Sequence, residues 1–155
     1  METVRRAAED DVPALEPLAA ALRSELNQER GGRLWELAEA DPRDPDSRFA
    51  AALNAPDELL VIGCIDEVPV GYAWAVTIPL ADGSMRAVIP ELYVLPDARK
   101  VGLGESILNE IIAWANEQSC VALDAMALPG TRDTKNFFET AGMKSRMLIV
   151  SRDLP

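Results

Sequence analysis

ELYVLPDARKVGLGES, residues 91–106, is the stretch whose reading decides the fold. It starts as an apolar strand-like run, passes a proline and two basic residues, and then places Gly102 and Gly104 immediately before a helical pattern. A helix start carries unpaired N–H groups and roughly half a positive charge, so it attracts anions. Glycines let the backbone approach phosphate oxygens and adopt dihedrals that other residues resist. Arg99 and Lys100 add positive charge in an otherwise acidic chain. The spacing Arg99-x-x-Gly102-x-Gly104 between strand and helix therefore suits a pyrophosphate, although a plain tight turn would use the same glycines. A P-loop is excluded, because Glu105-Ser106 stands where Lys-Ser/Thr is required. A Rossmann turn is disfavoured by Ile107 at its third small position and by a strand that closes a meander.

Outward from this stretch the period of the sequence changes twice. Leu15, Leu18, Ala19, Leu22 and Leu26 recur at helical spacing, and a second helical stretch runs from about Arg33 through Leu37. It breaks at DPRDPD and resumes at SRFAAALN. From residue 58, ELLVIGCI, VGYAWAVTI and MRAVIPELYVL read as strands of an antiparallel meander. After the glycine turn, Ile107, Leu108, Ile111, Ile112 and Ala115 share one helix face. CVALDAMAL, TRDTKNFFETAG and RMLIVSRDL then read as strand, short helix and last strand. With TVRRA as the opening strand, the order is β-α-α-β-β-β-α-β-α-β. This is a single α/β domain over residues 1–155, with one mixed, mostly antiparallel sheet flanked by helices.

Composition excludes several chemistries. The 155 residues include no histidine, which removes Ser-His-Asp and Cys-His nucleophile schemes and the commonest transition-metal ligand. Cys64 and Cys120 lie in apolar runs and have no zinc spacing, so neither a metal nor a disulfide framework is expected. A net charge of −11 argues against nucleic acid. No apolar run approaches the ~20 residues of a membrane span, and no signal peptide is visible, so a cytoplasmic protein is expected. Residues 1–60 hold 14 acidic against 7 basic residues. These are either solvated helix faces or a surface that draws a cationic partner.

At this point the chain resembles the GNAT-type N-acetyltransferases. ELYVLPDARKVGLG is similar to that family's strand-loop-helix signature, and KNFFETAGMK to its later helix. The resemblance implies acetyl-CoA as cosubstrate and a primary amine as acceptor, either a cationic small molecule or a protein amine. It places the pyrophosphate on backbone N–H groups of Arg99, Lys100, Val101, Gly102, Leu103 and Gly104, and the pantetheine along Tyr93, Val94 and Leu95. Glu91, on the face shared with Tyr93, is the candidate general base. Phe138 stands where the family normally has a proton-donating tyrosine, so it would pack on the pantetheine without donating a proton. That departure leaves a non-catalytic acyl-CoA sensor as the alternative, and a homodimer is open because the family often dimerises.

Overall fold

A computed structural model describes residues 1–155. Strand β1 (Glu2–Arg6) leads through a short 3-10 turn into helix α1 (Val12–Asn27), followed by α2 (Gly32–Ala38) and α3 (Pro45–Leu53). The DPRDPD segment thus starts a helix as well as ending one. Asp44 caps α3 by accepting a hydrogen bond from the Ser47 amide at 2.8 Å, and Pro45 sits in the first turn where its missing N–H costs nothing. Strands β2 (Glu58–Ile65), β3 (Val68–Pro79) and β4 (Met85–Val94) form the meander. Helix α4 (Leu103–Glu117), strand β5 (Cys120–Ala125) and helix α5 (Arg132–Thr140) complete the order.

The five strands lie in sequence order, antiparallel from β1 to β4, with β5 parallel to β4. The last strand expected from RMLIVSRDL does not form: residues 144–155 belong to no helix or strand. Its β-branched pattern satisfies strand propensity, but propensity needs a partner edge to become a strand. No helix is long and apolar enough to cross a membrane.

Strand alternation sorts the core into two layers. Leu59, Val61, Ala73, Ala75, Ala87 and Ile89 face α4, where they meet Leu103, Ile107, Leu108 and Ile111. Leu60, Ile62, Tyr72, Trp74 and Tyr93 face the opposite way, toward α1 and α3. Within β4 the pattern breaks. Trp74 pairs with Glu91 and Val76 with Val88, so β4 spends one more residue than β3 across this step. That extra residue, at Ile89–Pro90, is a β-bulge, and proline without an N–H is at home in one. The bulge turns Ile89 toward α4 and Tyr93 toward α1 and α3. Pairing of β4 with β5 stops there too, at Ile89 against Ala125.

Helix α4 sits close to the sheet because Gly63 and Gly71 face each other across β2 and β3. A Cβ at Gly71 would meet the Tyr93 carbonyl oxygen at 3.0 Å and Ile107 Cδ1 at 3.3 Å. The first obstacle is backbone and cannot rotate away. Gly71→Val is therefore expected to lower stability by about 1–3 kcal/mol through overpacking, read as a reduced urea midpoint. A midpoint equal to the parent's would mean that α4 does not depend on this close approach.

Candidate functional site

Beyond the bulge, Glu91, Leu92, Tyr93 and Val94 pair with β3 on one side only. Their other edge has no strand partner, because β5 has already ended at Ala125. This open edge runs directly into the expected anion cradle. Leu95 leads to a short 3-10 turn, Pro96–Ala98, and then to the uncapped start of α4. Gly102 is the N-cap residue at φ 89° and ψ −1°, a left-handed conformation that favours glycine, and no side chain caps the helix. Lys100 is also left-handed, at φ 72°. A lysine held there is strained, and such strain gathers at binding sites. Two left-handed residues on either side of Val101 follow the backbone pattern that collects N–H groups into an anion-binding concavity. The amides of Lys100, Val101 and Gly102 donate to no backbone acceptor, and the first bond of α4 is Ser106 N–H to the Gly102 carbonyl at 3.0 Å.

The second glycine has another reason. A Cβ at Gly104 would lie 3.2 Å from the Phe137 ring, so this position lets α5 pack against the start of α4. Phe137 meets Phe138 edge-on at 5.2 Å between ring centroids, and both lean half-buried on the α4 core. Arg99 does not flank the cradle as expected. Its Nε donates to the Val94 carbonyl at 2.8 Å, and its terminal nitrogen donates to both Glu25 carboxylate oxygens at 3.0 Å. The guanidinium also lies 5.4 Å from the Tyr93 ring centroid. Arg99 thus clamps the loop to α1. The exposed Lys100 forms no ion pair and remains the loop's available cation.

Glu91 is buried, and its carboxylate is heavily engaged. Arg48 of α3 donates from Nε to Oε2 at 2.9 Å and from a terminal nitrogen to Oε1 at 3.0 Å. The Tyr72 hydroxyl of β3 donates to Oε1 at 2.6 Å. Burial, followed by the adjacent Glu91 charge, pushes the Tyr72 hydroxyl well above the ordinary tyrosine pKa. Burial works against the charge of Arg48, but the Glu91 bonds outweigh it and its pKa ends above the ordinary value. A carboxylate offers about four acceptor positions, and these donors occupy three of them.

Glu91 lies on the wall of a 280 Å³ cavity that opens beside the β4–β5 divergence. Trp35, Arg23, Glu39, Asp41 and Asp124 share that wall. The sequence pattern marks none of the four charged residues among them. They come from α1, the end of α2 and β5, and no local spacing brings them together. The cavity does not carry the surplus negative charge of the first 60 residues. Asp41 pairs with Arg43, whose hydrogen bond holds its carboxyl below the ordinary range. Asp124 is held low by Arg146 first and Arg86 as well. Arg23 adds a positive charge, and Glu39 alone of the four carboxylates has no ion pair. No group of three or more histidine, cysteine or carboxylate side chains is arranged to hold a metal ion.

Residues 20–143 match the model of the acetyltransferase (GNAT) family. No curated protein matches the sequence significantly. Among solved structures, a single-site mutant of the BH1408 protein from Bacillus halodurans superposes with a TM-score of 0.82 at 20% identity, covering 99% of both chains. AAC(6')-Iy in complex with the bisubstrate analogue CoA-S-monomethyl-acetylneamine gives 0.76 at 15% identity, over 100% of this chain and 99% of that one. A ribosomal-protein-alanine N-acetyltransferase from Brucella melitensis biovar Abortus 2308 gives 0.69 at 17% identity over 100% of both chains. At these identities the likeness is one of fold.

The Arg48–Glu91 pair makes a stability prediction that does not depend on activity. Arg48→Met leaves a buried carboxylate unpaired and should cost about 3–5 kcal/mol in chemical denaturation. Adding Glu91→Gln should recover part of that loss, because the amide keeps an acceptor for Tyr72 and removes the buried charge. A double variant no more stable than Arg48→Met alone would show that the charge pair is not what holds α3 against the sheet.

Proposed function

The chain belongs to the acetyltransferase (GNAT) family, and on that premise we propose that it transfers an acetyl group from acetyl-CoA to a primary amine by direct attack. One observation carries the reading. The unpartnered edge of β4 runs straight into a helix start whose preceding amides, at Lys100, Val101 and Gly102, have no backbone acceptor. Acetyl-CoA when bound supplies an acetyl group already activated as a thioester.

The residues present fit that cosubstrate. Backbone N–H groups of Lys100, Val101, Gly102, Leu103 and Gly104 would hold the pyrophosphate, with the Lys100 ammonium beside them. The Arg99 N–H donates to the Pro96 carbonyl at 3.3 Å and its side chain braces the loop against Glu25, so Arg99 would shape the cradle rather than line it. The pantetheine would run along Tyr93, Val94 and Leu95, with the Val94 N–H as the strand-like donor to it, because the Leu95 amide already donates to the Val70 carbonyl at 2.8 Å and the Leu95 carbonyl accepts from Ala98 at 2.9 Å. Phe138 would give that arm an apolar surface.

The amine would enter the cavity beside Glu91 and lie against Trp35. A lysine-like amine is charged at neutral pH, and losing its proton costs about 4–5 kcal/mol. Glu91 would accept that proton, directly or through a water, at the position on Oε2 that Arg48 leaves open. Arg48 and Tyr72 fix the carboxylate in place while this happens. No side chain is assigned to protonate the leaving thiolate. Phe138 has no hydroxyl, the Tyr72 hydroxyl is committed to Glu91, and Tyr93 lies between Glu25 and Arg99. A thiol with a pKa near 8.5 leaves tolerably without help. Because the cavity carboxylates are mostly arginine-paired, its charge does not favour a cationic small molecule over a protein amine.

Acetyl-CoA and CoA should each raise the melting temperature, with linkage supplying about 2.7 kcal/mol at 100 times the dissociation constant. Gly102→Val should lose that shift. Release of CoA thiol against a panel of primary amines should then identify turnover. Glu91→Gln should cut turnover by roughly 10²–10⁴-fold, the span for loss of a general base, while keeping the cofactor-induced shift. Absence of any shift at saturating cofactor would overturn the cradle. A shift without turnover of any amine would overturn the transfer reaction and leave a CoA-binding domain.

A further inference from the structure

The wall of the Glu91 cavity holds one cation that no side chain of the protein neutralises. Arg23 of α1 lines it, half-buried, and no carboxylate pairs with its guanidinium. Its one hydrogen bond runs from a terminal nitrogen to the Asp41 carbonyl at 2.9 Å. An arginine carries five N–H donors, so four of them have no acceptor in the protein.

Most of the other charges on that wall are matched. Glu91 is held by Arg48 and Asp41 by Arg43, so each of these pairs cancels. Asp124 lies between Arg86 and Arg146, and the buried Arg86 Nε still lacks an acceptor. Two guanidinium groups on one carboxylate leave that side with a positive excess. Glu39, exposed just after α2, is the remaining unpaired carboxylate. Arg23 and the candidate base therefore share one cavity of 280 Å³. The Tyr72 hydroxyl, which donates to Glu91 at 2.6 Å, registers this. Burial and then Glu91 raise its pKa, and Arg23 is one of the two cations that oppose them.

A carboxylate complements a guanidinium in charge and in paired hydrogen-bond geometry. We infer that the acceptor amine carries a carboxylate of its own, as a free amino acid does, and that Arg23 binds it. This inference rests on the transfer reading, in which the amine enters beside Glu91. Glu39 offers the incoming ammonium a counter-charge before Glu91 takes its proton. The apolar part of the wall, with Leu22, Trp35 and Met126, suits an apolar side chain on the acceptor. Ligand pockets run to roughly 300–1,000 Å³, so this cavity suits a compact molecule. A peptide N-terminus has an amide where the carboxylate would lie, and it would leave Arg23 unmatched.

The test measures CoA-thiol release for free apolar amino acids, each beside its carboxamide and its decarboxylated amine. The amino acid should show a kcat/KM roughly 10–100-fold higher, the span of a charge-assisted hydrogen bond. Its carboxamide has the less basic nitrogen, so the supply of neutral amine cannot account for that preference. Arg23→Gln keeps a donor for the Asp41 carbonyl but loses the charge. It should raise KM for the amino acid and remove the preference, and Arg23→Lys should restore part of it. Carboxamides or plain amines used as well as the amino acids would leave acetyl transfer standing and overturn this inference. A preference that survives Arg23→Gln would overturn it too. Turnover of no amine, with the cofactor still bound, would overturn the transfer reading itself and this inference with it.

Discussion

One extra residue in β4 sets the rest of the structure. At Ile89–Pro90 the strand takes an additional step relative to β3. Without that bulge, alternation would keep Glu91 and Tyr93 on the α4 side with Ala87 and Ile89. With it, they turn toward α1 and α3, and β4 departs from β5 at the same place. The departure leaves half a strand with a free edge, and a free edge inside a protein needs a partner. Water can serve, but so can an extended ligand with amides of its own. The same departure opens the cavity in which Glu91 lies.

The buried pair Arg48–Glu91 is the fold's response to that geometry. A carboxylate turned into the layer between sheet and helices requires a counter-charge, and α3 supplies it through an arginine only 1% exposed. The pair ties the third helix to the strand where the sheet opens, and Tyr72 adds a third bond from β3. Structure and chemistry compete here for one side chain. Every donor that fixes Glu91 also fills a position that a proton would use, and this is why a single remaining acceptor position carries the proposed proton transfer.

Much of this was legible in the sequence, and the limits have physical causes. The meander and α4 were readable because alternation and helical spacing are local. The turn at Gly102 was readable because a strand-to-helix junction with a basic flank has few uses. Gly104 looked like part of the same cradle, but its constraint is a steric one imposed by Phe137, 33 positions later. Arg99 looked like a phosphate ligand, yet Glu25 lies 74 residues away in sequence and across a short gap in space. Arg48 drew no notice, since nothing near it marks an arginine destined for burial. The last strand failed for a different reason. Its residues are suited to a sheet, but pairing is a property of two edges, and the pattern of one run says nothing of the edge that would receive it. Pro90 was the overlooked clue, because proline inside a strand pattern marks an edge or a bulge.

Hydrogen exchange at individual amides, with and without CoA, tests the central claim most directly, because it reads the proposed donors one by one. The account predicts that CoA slows exchange at Lys100, Val101, Gly102, Leu103 and Gly104, and at Val94 on the open edge. Amides in β1 and β2, far from the opening, should be little changed. Slowed exchange confined to another surface, with the residues from Tyr93 to Gly104 unaffected by saturating CoA, would contradict it.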